Sequence, residues 1–122
     1  MPDAERKSGP LIGIVGPCGA GKSTLAAGLQ RLGFRARPIT QEHSYVKDMW
    51  QQLTRPDVLI FLQASHQVGA RRRNMNWTEA EWQEQQFRLR HARELTDFYL
   101  ETDPLTIEQV LTKVTAFLSN IK

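Results

Sequence analysis

Eight residues, Gly16-Pro17-Cys18-Gly19-Ala20-Gly21-Lys22-Ser23, complete a G-x-x-x-x-G-K-S run with Thr24 behind it, set between the apolar Leu11-Ile12-Gly13-Ile14-Val15 and a helical pattern. A strand that passes into a helix through such a loop has few options. Small residues at 16, 19 and 21 let backbone N–H groups turn inward toward an anion, an approach that side chains would block. Lys22 then supplies a mobile point charge for outer phosphates, Ser23 a hydroxyl ligand for magnesium, and Thr24 a further contact to an inner phosphate. An ordinary strand-to-helix turn accounts for the glycines but not for Lys22-Ser23. The run therefore predicts a polyphosphate cradle at a helix N-terminus, formed by residues 16 to 24.

With 122 residues the chain has room for one domain with one core. Residues 1–10 are charged, lack an apolar leader, and are expected to be a disordered lead-in to a single domain over 11–122. Leu11 to Val15 is apolar on both faces, as a central parallel strand requires. The spacing of Leu25, Ala26, Leu29 and Leu32 predicts a helix from Lys22 to about Leu32, ended by Gly33. Phe34 to Thr40 reads as an edge strand because of Pro38. Tyr45, Met49 and Leu53 recur at four-residue spacing and predict a short helix, broken at Arg55-Pro56. Asp57-Val58-Leu59-Ile60-Phe61-Leu62 is a second buried strand, with Asp57 at the end where a residue caps or turns the chain.

Thr78 with Glu81 forms a capping box predicting one long polar helix to about Leu95, with Glu84 and Arg88 placed to pair. Phe98-Tyr99-Leu100 is a fourth strand. Thr106 with Gln109 caps a closing helix whose Ile107, Val110, Leu111, Val114, Leu118 and Ile121 share a face. Four strands joined by helices demand right-handed crossovers, hence an α/β fold, a three-layer α/β/α sandwich on a parallel sheet of about four strands.

Composition narrows the classes. Apolar content of 40% with no membrane-length apolar stretch predicts no membrane association. The formal charge of +3 comes with no recognition-helix, zinc-finger or aromatic-basic signature, so phosphates of a small ligand are a simpler target than nucleic acid. The one cysteine, Cys18, cannot form an internal disulfide, which suits a reducing cytoplasm. It is either a reactive thiol or a tolerated small residue of the loop. His43, His66 and His91 show no metal-ligand spacing with one another or with Cys18, so no zinc site is expected.

Ligands of an open parallel sheet bind at the carboxyl ends of its strands, which here lead into Gln41-Glu42-His43-Ser44, Gln63-Ala64-Ser65 and Glu101-Thr102-Asp103. The most apolar strand ends in Gln63, not an acid. Glu42 is the leading carboxylate, acting through the magnesium shell or as the base for an attacking hydroxyl; a solvated loop glutamate is the alternative. Arg71-Arg72-Arg73 reads either as a solvated patch or as charge for a transferred phosphate. Trp77 and Trp82 read as packing anchors.

In their order, the Gly16 to Thr24 loop, the Pro56 to Leu62 strand followed by Arg71-Arg72-Arg73, and the stretch from Ala92 to Val110 resemble the small P-loop kinases, which phosphorylate nucleosides, nucleotides and small hydroxyl metabolites. The resemblance implies a truncated P-loop NTPase fold, ATP and Mg2+ as cofactors, and transfer of the γ-phosphate to an unknown small-molecule acceptor. It further implies that Lys22, Glu42 and the lid arginines Arg71, Arg72 and Arg73 carry catalysis, that Ser23 and Glu42 serve the metal, and that Thr102, Asp103 and Pro104 lie beside the adenine. Residues 34 to 56 replace the longer acceptor segment of that family, and Glu42-His43-Ser44 lacks its arginine. A non-catalytic nucleotide-binding module is the alternative, and a hydrolase driving a partner a weaker one.

Overall fold

A computed structural model of the protein describes residues 9–74 and 76–121; most of the lead-in expected over 1–10 lies outside the described residues. Strands β1 (Leu11–Val15), β2 (Arg35–Pro38), β3 (Val58–Gln63) and β4 (Phe98–Glu101) form one sheet in the order β2-β1-β3-β4. Every pairing is parallel, with Leu11 opposite Arg35, Ile12 opposite Val58, and Ile60 opposite Phe98. The two runs that are apolar on both faces are thus the central pair, and the Pro38 strand is an edge.

Side-chain alternation along the strands divides the core in two. On one face Ile12, Ile14, Ala36, Val58, Ile60 and Leu62 pack against helices α1 (Lys22–Arg31) and α5 (Ile107–Ser119), which contribute Leu25, Leu29, Val110, Val114 and Leu118. Gly33, at φ 95°, follows α1, as expected. On the other face Val15, Leu59 and Phe61 pack against Ile39, Trp50, Leu89 and Ala92. Helical segments cover both faces of the sheet. No helix of the described residues is long and apolar enough to cross a membrane.

The second face departs from the expected elements. The Tyr45 to Leu53 periodicity forms no regular helix: a 3-10 turn (Gln41–His43) and one π turn (Trp50–Thr54) occupy the region, with Tyr45 82% and Leu53 77% exposed. Polar brackets override the spacing. Buried Gln41 accepts from Trp50 N–H at 2.8 Å and donates Nε2 to the Val46 and Arg88 carbonyls at 2.9 and 3.1 Å, turning Trp50 inward instead. The expected long helix is split at Leu89 (φ −93°, ψ 0°) into α3 (Glu79–Arg88) and α4 (Arg90–Leu95). That break lets fully buried Leu89 and Ala92 both reach the sheet. Helix α2 (His66–Arg73) completes the set.

Both capping boxes form as expected, as does the Glu84–Arg88 pair at 3.4 Å. Asp57 caps rather than binds, taking the Leu11 N–H at 2.8 Å, and Asp97 does the same for Leu59.

Candidate functional site

The loop after β1 is shaped by two glycine contacts. At Gly16 (φ 154°) a Cβ would lie 2.1 Å from the Leu62 carbonyl oxygen; at Gly19 (φ 83°) it would lie 2.5 Å from the Gly69 backbone of α2. Only glycine lets the loop fold down between β3 and α2. Helix α1 follows directly, with Gly21 in the left-handed region as its N-cap and no side chain capping it. Its first-turn N–H groups, at Lys22, Ser23 and Thr24, meet no protein acceptor among the described residues. Orphan donors and the positive end of the helix dipole thus face the same space.

That space is a cleft of about 600 Å³. It is lined by the loop from Cys18 to Thr24, by Glu42, His43, Arg72, Arg73 and Thr102, and by the apolar Leu105, Ile107, Val110 and Leu111. Charged, polar and apolar groups thus share one cleft.

Lys22 curls over the loop, its Nζ donating to the Gly16 carbonyl at 2.8 Å, the Pro17 carbonyl at 3.3 Å and Glu42 Oε2 at 2.8 Å. Glu42 is 3% exposed, and its other oxygen, Oε1, is buried with no partner among the described residues. A solvated loop glutamate is therefore the wrong description of it. An unsatisfied buried carboxylate oxygen is costly unless a donor or cation other than the described residues meets it. Ser23 and Thr24 are exposed on the cleft wall.

The residues marked by sequence scatter more widely than expected. Of the three arginines, Arg72 and Arg73 line the cleft and Arg71 lies outside it. All three end helix α2. Arg72 is tied down, donating to the Gly19 carbonyl at 3.1 Å, to Thr102 Oγ1 at 2.9 Å and to the Thr102 carbonyl at 2.7 Å, so it braces the loop against the end of β4. Thr102 is buried and its hydroxyl donates to the Gln63 carbonyl. Asp103 accepts the Ser65 N–H at 3.0 Å, and neither it nor Pro104 lines the cleft. Apolar lining comes instead from Leu105 and from the first turns of α5, which sequence reasoning assigned to the core alone. Pro17 is fully buried and likewise outside the cleft lining, as is Gly16. Gln63 exchanges two 2.9 Å hydrogen bonds with Gln86, so the end of β3 is fastened to α3.

Two contributors have no role assigned to them by the sequence. Gln85 of α3 accepts the Cys18 N–H at 3.0 Å and donates to Cys18 Sγ at 3.2 Å, clamping the loop from the second face of the sheet. His43 brings Nε2 to 3.7 Å from Cys18 Sγ and 3.6 Å from Glu42 Oε2. Cys18, Glu42 and His43, which show no metal-ligand spacing along the chain, offer ligand atoms within 4.8 Å of one another in the fold. Trp82 Nε1 donates to the Ala64 carbonyl at 3.0 Å, so Trp82 anchors α3 as expected, whereas Trp77 lies against His66 of α2, ring centroids 5.7 Å apart. No protein-family model matches the chain, and no curated protein matches it.

Proposed function

We propose that the chain is a small P-loop phosphotransferase that binds the polyphosphate of ATP in the Gly16–Thr24 loop and passes the γ-phosphate to a small hydroxyl or phosphate acceptor. The observation that carries this reading is the meeting, in one cleft, of orphan N–H groups at the start of α1, Lys22 Nζ, and a buried carboxylate with an unused oxygen. Ser23 and Glu42 would hold magnesium, which supplies charge neutralisation for the outer phosphates when bound. The unpartnered Glu42 Oε1 and the exposed Ser23 hydroxyl fit that group.

The chain's own residues do the following. The first turn of α1 takes the phosphate oxygens, and Lys22 exchanges its carbonyl and carboxylate partners for them. Arg73 adds charge from α2, and Arg72 keeps the loop seated against β4. The acceptor oxygen bonds to the γ-phosphorus as the bond to the bridging oxygen breaks, ADP leaves, and Glu42 takes the acceptor's proton.

A second reading, a nucleotide-binding module without transfer, is favoured by one observation: Arg72 and Gln63, placed where relatives of the P-loop kinases put catalytic groups, are both spent on protein contacts. One experiment covers both readings. Binding of a non-hydrolysable ATP analogue is measured in wild type, Lys22→Ala and Lys22→Ala/Glu42→Gln, the double variant removing the buried carboxylate that the single one strands. Loss of the charge-assisted contacts should weaken binding about a hundredfold in both variants. Unchanged affinity in the double variant would overturn the cradle. In wild type, ATP consumption stimulated by pools of nucleosides, nucleotides or small alcohols supports transfer; tight binding with no stimulation supports the module.

A further inference from the structure

The geometry points to a site for a thiophilic divalent cation, of the zinc class, built by Cys18 Sγ, His43 Nε2 and the Glu42 carboxylate at the rim of the cleft. Two of its three edges are already set. A tetrahedral ion with zinc-like bond lengths holds a sulfur and a nitrogen about 3.6 Å apart and a nitrogen and an oxygen about 3.4 Å apart. The separations here are 3.7 Å from Cys18 Sγ to His43 Nε2 and 3.6 Å from His43 Nε2 to Glu42 Oε2, with all the donor atoms within 4.8 Å. Donors that merely share a surface need not fall on a coordination polyhedron.

The independent observation is Glu42 itself. Its carboxylate is 97% withdrawn from solvent, one oxygen holds Lys22, and the other has no partner among the described residues. The oxygen measured against His43 is Oε2, which Lys22 also holds, so a cation shared with Cys18 and His43 binds the carboxylate beside Lys22, through Oε2 or through the unpartnered Oε1. The positions are also held from outside. Gln85 fixes Cys18 through both its N–H and its sulfur, and Arg88 donates to the Glu42 carbonyl at 3.3 Å.

The donor set decides the ion. A thiolate with an imidazole selects zinc, cobalt or copper over magnesium and calcium, which take oxygen ligands. Binding expels the thiol proton to solvent, His43 binds as the neutral ring through Nε2, and three protein ligands leave a fourth position open to water or an anion. The ion would pin the Gln41–His43 turn to the Gly16–Thr24 loop. This site draws on the same Glu42 carboxylate as the magnesium of the proposed reaction but adds the Cys18 thiolate and the His43 ring, and it stands whether or not ATP binds.

The test uses the metal alone on the full chain. Co2+ titrated into wild type should give one equivalent of binding with thiolate-to-cobalt charge-transfer absorption, displaced by Zn2+ and not by excess Mg2+. Cys18→Ser should abolish that absorption. His43→Ala should weaken binding by at least about tenfold, since even groups that only support a metal ligand cost that much when removed. His43 is 58% exposed, so this variant does not threaten the core. Cobalt binding without the thiolate band, binding unchanged in His43→Ala, or displacement by Mg2+ would each overturn the site.

Discussion

The two faces of the sheet are closed in different ways, and the difference separates what holds the molecule together from what equips it. One face is covered by two regular helices, α1 and α5, through an apolar contact that includes Leu25, Leu29, Val110, Val114 and Leu118. The other is covered by a 3-10 turn, a π turn and two short helices, around a cluster that among the described residues has seven buried apolar members, three of them from the strands. Polar side chains fasten that second face: Gln41 brackets Trp50, Gln85 clamps Cys18, and Gln63 pairs with Gln86. Glu42, His43 and Gln85 converge on the loop from the irregular face, while Arg72 reaches it from α2. Burial of apolar area is non-directional, whereas a buried amide must be aimed; aiming is what a site requires.

The largest expected effect tests the apolar half of this contrast. Leu118→Ala truncates a buried side chain on the regular face and should cost about 3 kcal/mol of unfolding free energy in urea, within the range for such changes. Leu118 does not line the cleft, so triphosphate-analogue affinity of the folded protein should be unchanged. An affinity loss beyond about threefold would mean that the two faces are not separable, since changes at distant sites normally add within about 0.5 kcal/mol.

Gln85→Ala tests the polar half. It leaves the Cys18 N–H without its acceptor and removes the clamp on the loop, so stability should fall by about 2 kcal/mol, the cost of a stranded buried donor. Unlike Leu118→Ala it should also weaken analogue binding, by about tenfold, because one lost hydrogen bond of about 1.4 kcal/mol would no longer preorganise the loop. A stability loss with unaltered affinity would make Gln85 a core residue like any other.

How far the sequence was legible follows the same division. β1 and β3 were readable because strands buried on both faces show continuous apolar runs, and α1 and α5 because caps and helical periodicity agree. Tyr45, Met49 and Leu53 misled for a physical reason: four-residue spacing marks a helix only where a core waits for that face, and Gln41 had already committed Trp50 to it. The break at Leu89 carries no glycine or proline. In the cleft, the loop was legible because its chemistry is local, and Glu42 because a strand's carboxyl end is a topological address. Gln85 was not, since its partner lies 67 residues away and nothing beside it distinguishes a buried glutamine in a polar helix from an exposed one. His43 and Cys18 failed the spacing test because their neighbourhood exists only after β2 has been laid beside β1.

The smallest expected effect is the sharpest comparison, because the chain carries the same device on both faces. Thr106 with Gln109 opens α5, and Thr78 with Glu81 opens α3, each as a reciprocal capping box. Replacing either threonine by alanine removes one cap worth about 1 kcal/mol. In α5 that loss is spread through a thirteen-residue helix anchored by Val110, Val114 and Leu118, so Thr106→Ala should lower global stability by that amount and leave hydrogen exchange within α5 governed by global unfolding. Helix α3 has ten residues, of which Gln85 alone is buried. Thr78→Ala should therefore fray α3 locally, raising exchange of its amides about fivefold at a cost near 1 kcal/mol while α5 stays protected. Equal loss of protection in both helices from the Thr78 variant would show that the irregular face unfolds only with the rest of the molecule, and that its polar fastenings bind as tightly as the apolar contact opposite.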